Sequence, residues 1–267
     1  MNLDGVAIQD HLFEEWTDAS AYSIIGVRGP YDGVLGLAPP WNKDSATPNI
    51  LSSLVTQNRL PSQVFSLKLP VYSNETGELS LGSSNPEFYH PGSRPVPVIP
   101  IPDTAYDRNK WTVPTSHISL NTSIPLNLTL EGNGTYAFLD SGDPYIILPD
   151  AYARDVLAAI GAQRGPSIIV HHVPCWRRQE LPRLTFTLNG QDFSISAFEY
   201  TVEADFGREV GIVCMTTIYS QGDFALRSSD GIVLGSPFLR GFYSIFDFGE
   251  REVTCKLTCS RYLRMIC

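Results

Sequence analysis

The stretch Tyr136–Pro149, read Y-A-F-L-D-S-G-D-P-Y-I-I-L-P, constrains the fold more than any other part of the chain. Tyr136-Ala-Phe-Leu and Tyr145-Ile-Ile-Leu are short apolar runs, joined by the polar turn Asp140-Ser141-Gly142-Asp143-Pro144. Such runs between turn formers read as strands buried on both faces. They therefore need cover above and below. A carboxylate at the turn, Asp140, is then held by the sheet yet reachable from outside, a position where chemistry is often found. Taken alone, Asp-Ser-Gly reads as an ordinary surface turn, and only the rest of the chain changes that reading.

The second apolar strand this arrangement needs is Ile232-Val233-Leu234, which ends at Gly235. Ser229-Asp-Gly-Ile-Val-Leu-Gly235 repeats a device seen in Tyr31-Asp-Gly-Val-Leu-Gly36: Asp-Gly, an apolar run, then a glycine where another backbone segment can approach closely. The expectation is that the Asp140 turn lies against Ile232–Gly235 and faces Leu35-Gly36. Its carboxylate should be partly buried and bonded to the Gly142 N–H or a neighbour at about 3 Å.

Elsewhere, residues 3–28 read as strands. A helix opens with Thr47 as N-cap and Pro48 at its first position, and buries Ile50, Leu51, Leu54 and Val55. Val64–Leu69, Gly77–Leu81, Trp111–Ile118 and Leu126–Leu130 read as strands, with a Pro-rich, unpatterned stretch over 86–110 between the second and third. Asp150 is expected to cap a helix over Ala151–Ile160, stopped by Gly161. Residues 162–180 read as a loop. Leu184–Leu188, Phe193–Ile195, Ile212–Met215 and Tyr243–Phe248 read as strands, and Pro237 opens a short helix.

Composition narrows the function classes. The 267 residues carry 43% hydrophobic and 18% charged side chains, with 20 Pro and 21 Gly, which describes a turn-rich, strand-rich globular chain. A net charge of −9 argues against a nucleic-acid partner. No apolar run approaches the ~20 residues of a membrane helix. Asn74, Asn121, Asn127 and Asn133 each head an Asn-x-Ser/Thr acceptor sequence. These sites point to a secreted or vacuolar protein, whereas the first residues have no signal-peptide character. The expectation is that an N-terminal portion precedes Met1; the alternative is a cytosolic chain with chance sequons.

Several segments together carry a family resemblance. Asp140-Ser-Gly between apolar runs, then Ile232-Val-Leu-Gly, then Phe238-Leu-Arg-Gly-Phe-Tyr-Ser-Ile-Phe-Asp247 resemble the C-terminal lobe of a pepsin-like aspartic peptidase. Asp32-Gly-Val-Leu-Gly-Leu37 resembles the matching N-lobe segment, and Gly77-Glu-Leu-Ser-Leu-Gly82 the strand that closes that lobe. With Trp111-Thr-Val-Pro and Phe138-Leu-Asp, the style is most similar to secreted fungal members. The resemblance runs in order over about residues 5–250.

It implies an all-β, bilobal fold with an incomplete first lobe: a remnant over 1–103, a C-terminal lobe over 104–250, and an atypical tail over 251–267 without a place in the fold. It implies an endopeptidase in which two carboxylates share a proton across a pseudo-two-fold axis and activate a water. Asp140 is the candidate catalytic residue, Ser141, Gly142 and Asp143 support its loop, and Leu35-Gly36 and Leu234-Gly235 brace the two loops from below. No metal or organic cofactor is implied, and the partner is a peptide or protein substrate bound by a monomer. Asp140 precedes Gly235 by 95 positions; at that spacing the aspartate matching Gly36 falls about 59 positions before Met1, so the 267 residues carry half a dyad. The family usually has Thr or Ser where Asp143 stands, and Asp143 puts a like charge there instead.

The resemblance also implies a Cys175–Cys214 disulfide, with two separate buried thiols as the alternative. Cys255, Cys259 and Cys267, with His171-His172, fit no common zinc spacing. Trp16, Trp41, Trp111 and Trp176 are expected in the core. Two rival functions remain open at this point: a non-catalytic binding protein on the same fold, marked by Asp143, and a carbohydrate-binding β-sandwich.

Overall fold

The computed structural model describes residues 2–3, 5–13, 33–39, 49–71, 75–89, 96–97, 110–164, 170–207, 211–223 and 231–257. The fold is mostly β. Its centre is an eight-stranded sheet ordered Gln191–Ile195, Leu184–Leu188, Trp111–Leu120, Tyr136–Leu139, Ile232–Leu234, Ile146–Leu148 and Ile218–Ser220, with Leu126–Thr129 pairing beside Trp111–Leu120. The long strand Trp111–Leu120 serves two partners on one side. Its first half pairs with Tyr136–Leu139 and its second half with Leu126–Thr129.

Tyr136–Leu139 and Ile146–Leu148 follow each other in sequence but do not pair. Ile232–Leu234 enters between them, parallel to the first and antiparallel to the second. Alternation along these three strands sends side chains to two opposite faces. Ala137, Leu139, Ile146, Leu148, Ile232 and Leu234 join the main core. Phe138, Ile147 and Val233 form a second cluster on the other face, flanked by Tyr136 and Tyr145. The Lys110 ammonium sits 4.2 Å over the Phe138 ring. Both faces of the three strands are thus covered, as their unbroken apolar runs require, and each fully buried aliphatic or aromatic side chain contributes about 1.5–3 kcal/mol.

A five-stranded sheet, ordered Glu78–Leu81, Val64–Lys68, Phe242–Asp247, Glu252–Leu257 and Val96–Pro97, brings strands from early and late in the chain into one ladder. Its aromatic centre is Phe65 stacked on Phe246 at 4.6 Å, with Trp111 edge-on to both. Residues 252–257, which sequence reasoning assigned to a tail outside the fold, form a six-residue strand fully paired with Phe242–Asp247. The alternation Val253, Cys255 inward and Thr254 outward meets the apolar face of its neighbour, with Val253 and Cys255 buried. Residues 258–267, with Cys259 and Cys267, lie outside the described residues.

Other expectations are also corrected. The first helix spans Ile50–Thr56 and is capped by Asn49, whose Oδ1 accepts from the Ser52 N–H at 2.9 Å; Thr47 and Pro48 lie outside the described residues. The second helix spans Asp150–Ala159. Asp150 does not cap it; Pro149 stands at the N-cap position. The stretch 162–180 is not a plain loop. Gln163–Arg164 and His171–Val173 are strands of a four-stranded sheet with Ile212–Thr216 and Thr201–Asp205, and Cys175–Glu180 is a 3-10 helix. Ser196 and Glu199 form a capping box around the turn Ala197–Tyr200, a signal readable in Ser-x-x-Glu that sequence reasoning passed over.

The Cys175–Cys214 disulfide is present, with the two Cα atoms 4.9 Å apart. It ties the 3-10 helix to the Ile212–Thr216 strand across 39 positions, a loop whose closure removes about 4 kcal/mol of unfolded-state entropy in the chain-entropy account. Trp111 is buried as expected, but Trp176, beside the disulfide, is 74% exposed. Trp16 and Trp41 lie outside the described residues.

Candidate active site

Asp140 stands at the first residue beyond the Tyr136–Leu139 strand. Its backbone N–H donates to the Leu234 carbonyl at 3.2 Å, which extends the parallel ladder by one rung. Its Oδ1 accepts from the Gly142 N–H at 3.0 Å, closing an Asx turn that fixes the carboxylate relative to the loop. The Asp143 N–H returns to the Asp140 carbonyl at 3.2 Å. The Asp140–Ile232 strand contact and the Gly142 bond are those read from the sequence. The degree of burial is not: Asp140, Ser141 and Gly142 are all exposed. The loop projects past the last paired rung of the sheet, and among the described residues no strand flanks it.

Asp143 is the buried member of the loop, at 4% exposure. Its Oδ1 accepts from the Tyr145 N–H at 3.0 Å, and its carbonyl accepts from the Ser236 N–H at 2.7 Å. The Gly235 N–H donates to the Tyr145 carbonyl at 3.1 Å. Two bonds therefore clamp the loop onto the Gly235-Ser236 corner. The clamp needs glycine: a Cβ on Gly235 would lie 2.2 Å from the Tyr145 carbonyl oxygen and 2.3 Å from that of Asp143. Leu234 and Gly235 thus sit directly beneath the Asp140 turn.

The other half of the expected brace differs. Leu35 and Gly36 form no strand, and both are exposed. A Cβ on Gly36 would meet nothing within 4 Å among the described residues. The segment is held one residue on instead, where the Trp111 indole N–H donates to the Leu37 carbonyl at 2.8 Å, and where the Asn49 amide donates to the Ala38 carbonyl. Asp32 lies outside the described residues.

Sequence reasoning missed a second tier of residues behind the loop. Tyr145 and Tyr219 meet with ring centroids 4.5 Å apart, and burial, then Tyr145 and Asp223, push the Tyr219 phenol up to about 12, so it stays protonated. Asp150, free of the capping duty assigned to it, accepts from the Ser220 hydroxyl and from the Gly222 N–H. These bonds hold its carboxyl below the ordinary carboxylate value. A depressed folded-state value means that the contribution is complete above the ordinary value and lost as pH falls through the depressed one. Asp150→Asn is therefore expected to lower the melting temperature slightly at neutral pH, with a difference that narrows in acid. A difference that grew on acidification would overturn this reading. Nothing local in the sequence marks the pin, because Ser220 lies seventy positions away.

Of the four sequon asparagines, Asn121 and Asn127 are exposed. Asn74 and the side chain of Asn133 lie outside the described residues. Among the described residues no group of three or more His, Cys, Asp or Glu side chains is placed to hold a metal ion.

Sequence comparisons point to a family. A family described as eukaryotic aspartyl protease matches residues 1–256. Similar curated proteins include pregnancy-associated glycoprotein 1 of Bos taurus, 30% identical over 84% of this chain and 53% of its own length. Vacuolar protease A of Arthroderma otae is 28% identical over 95% of this chain and 58% of its own length, and cathepsin D of Canis lupus familiaris 26% identical over 94% and 58%. The chain spans little more than half the length of these curated relatives.

Proposed function

Because the chain belongs to the eukaryotic aspartyl protease family, we propose that Asp140 is one carboxylate of a peptide-hydrolysing dyad. The observation that carries this reading is the Asp140 turn itself. A carboxylate fixed by the Gly142 N–H stands exposed at the end of a sheet, clamped from below through Gly235. In the chemistry of the family, an ionised carboxylate takes a proton from water as that water attacks the peptide carbonyl. Its protonated partner gives a proton to the carbonyl oxygen, and the tetrahedral intermediate then breaks with proton transfer to the leaving nitrogen. The substrate is a peptide or protein, lying extended and bonded through its backbone. Acid conditions favour the required state, in which one of two close carboxylates keeps its proton.

The 267 residues contain a single Asp-Thr/Ser-Gly motif. As one carboxylate cannot be base and acid at once, a polypeptide of these residues expressed by itself is expected to show no peptidase activity. Incubation with a denatured protein at acid pH checks this. Cleavage by pure material that disappears on Asp140→Asn would overturn the expectation, whereas cleavage that persists in that variant would remove Asp140 from the reaction.

A second reading, a non-catalytic binding protein on the same fold, draws on Asp143. The loop position where the family usually has a hydroxyl holds a buried carboxylate that closes its own turn onto Tyr145. Capture of a transition-state mimic of the family without turnover of peptide, by a polypeptide that carries both carboxylates, would favour it. Family membership gives the carbohydrate-binding reading no support.

We place the protein in the secretory or vacuolar system. The disulfide belongs to an oxidising compartment, the sequons fit the same route, and one relative is named a vacuolar protease and another a glycoprotein.

A further inference from the structure

Most described edge strands of the three larger sheets carry a charge or a proline, and one is covered by a helix. Gln191–Ile195 carries Asp192, Thr201–Asp205 carries Glu203 and Asp205, Gln163–Arg164 carries Arg164, and Glu78–Leu81 carries Glu78. Val96–Pro97 ends in proline, and the helix Asp150–Ala159 packs against Ile218–Ser220. Charges, proline and helical cover are the usual means of keeping an edge from pairing with another chain. Leu126–Thr129 carries neither charge nor proline: among the described residues it pairs with Trp111–Leu120 alone, and the helix Asp150–Ala159 reaches it without supplying a charge on the strand itself. Residues 118–130 contain no charged side chain, and Ile124, just before the strand, is 85% exposed.

Two of the four sequons fall on this one hairpin. Asn121 sits in its turn and Asn127 in the edge strand, opposite Ser119. Leu126 and Leu128 point inward and pack on the core, so alternation sends Asn127 and Thr129 outward, where both are exposed. Asn121 is exposed as well. The fold accommodates a bulky, solubilising group on both side chains without moving any core residue.

We propose that Asn121 and Asn127 both carry N-linked glycans and that these sugars cap the uncharged edge Leu126–Thr129. The Asn127 glycan leaves from the strand itself and screens its outer rim. The Asn121 glycan stands over the turn that exposes Ile124. The sugar takes the place that an aspartate, glutamate or arginine holds on the other edges.

The proposal rests on the secretory reading above. Translation of the chain behind a secretion signal with microsomal membranes imposes that compartment. Asn121→Gln and Asn127→Gln are each expected to remove one N-glycosidase-sensitive mobility step; a ladder unchanged by either substitution overturns the site it removes. If both steps are present in microsomes but protein from its natural source has no sugar, the compartment is wrong and the sites are competent. The capping role is read from the secreted chain by light scattering. Asn127→Gln is expected to raise the aggregated fraction several-fold, and Asn127→Lys, which lacks the sugar but supplies a charge, to bring it back. Equal aggregation of the glycosylated chain and Asn127→Gln, or failure of the lysine to rescue, overturns the capping role.

Discussion

Gly235→Ala is expected to destabilise the protein by about 3 kcal/mol or more, because the added methyl has nowhere to go. Its carbon would lie 2.2 Å from one backbone oxygen and 2.3 Å from another, and neither oxygen belongs to a side chain that can rotate away. Relief requires the Asp143–Tyr145 backbone to move off the Gly235-Ser236 corner, which breaks the bonds Gly235 N–H to Tyr145 and Ser236 N–H to Asp143. In a chain of this size that corresponds to a fall in melting temperature of roughly 6–12 °C. Gly36→Ala is the matched control. The added carbon meets nothing within 4 Å among the described residues, so a change within about 0.5 kcal/mol is expected. Thermal melts of the two variants beside the parent make the comparison. If both lose stability equally, the two glycines play the same part after all. If neither does, the clamp under Asp140 is not as tight as its geometry.

Ending the chain at Val253 is expected to abolish cooperative folding. Such a deletion removes Cys255, Lys256 and Leu257 from their pairing with Ser244, Tyr243 and Phe242. It strips one side of residues 242–245 in the middle strand of the five-stranded sheet, and leaves an unpaired edge in the sheet that holds Phe65 and Phe246. A milder probe is Val253→Ala, at a side chain 1% exposed, with an expected loss of about 2 kcal/mol. Near-ultraviolet circular dichroism and a melt distinguish the outcomes. A truncated chain that melts as sharply as the parent would return the segment to the status of a tail.

That segment shows where local reading stops. Glu252-Val-Thr-Cys-Lys-Leu alternates polar and apolar residues as a half-buried strand does, but the resemblance read from the sequence runs only to about residue 250 and leaves the segment out as a tail. Its role depends on the neighbour Phe242–Asp247, which offers an apolar face and open backbone groups. The same limit applied to Asp150. Its position before a helical pattern favoured a cap, yet its carboxylate found donors at Ser220 and Gly222, brought close by the parallel pairing of Ile218–Ser220 with Ile146–Leu148.

By itself the sequence determined the strands that carry their own pattern: Tyr136–Leu139, Ile146–Leu148 and Ile232–Leu234, whose unbroken apolar runs demand cover on both faces, and the turn Asp140–Gly142 that joins the first two. It also made Gly235 a candidate for close approach, since a glycine after such a run leaves room for another backbone segment. Tertiary structure alone decided which backbone makes that approach, how far Asp140 is exposed, and that Gly36, in the same local pattern as Gly235, lies open while Gly235 is clamped. The reason is range. Periodicity and turn chemistry act over a few residues and are written in the chain, whereas burial and close contact are set by residues scores of positions away, whose arrival no local pattern encodes.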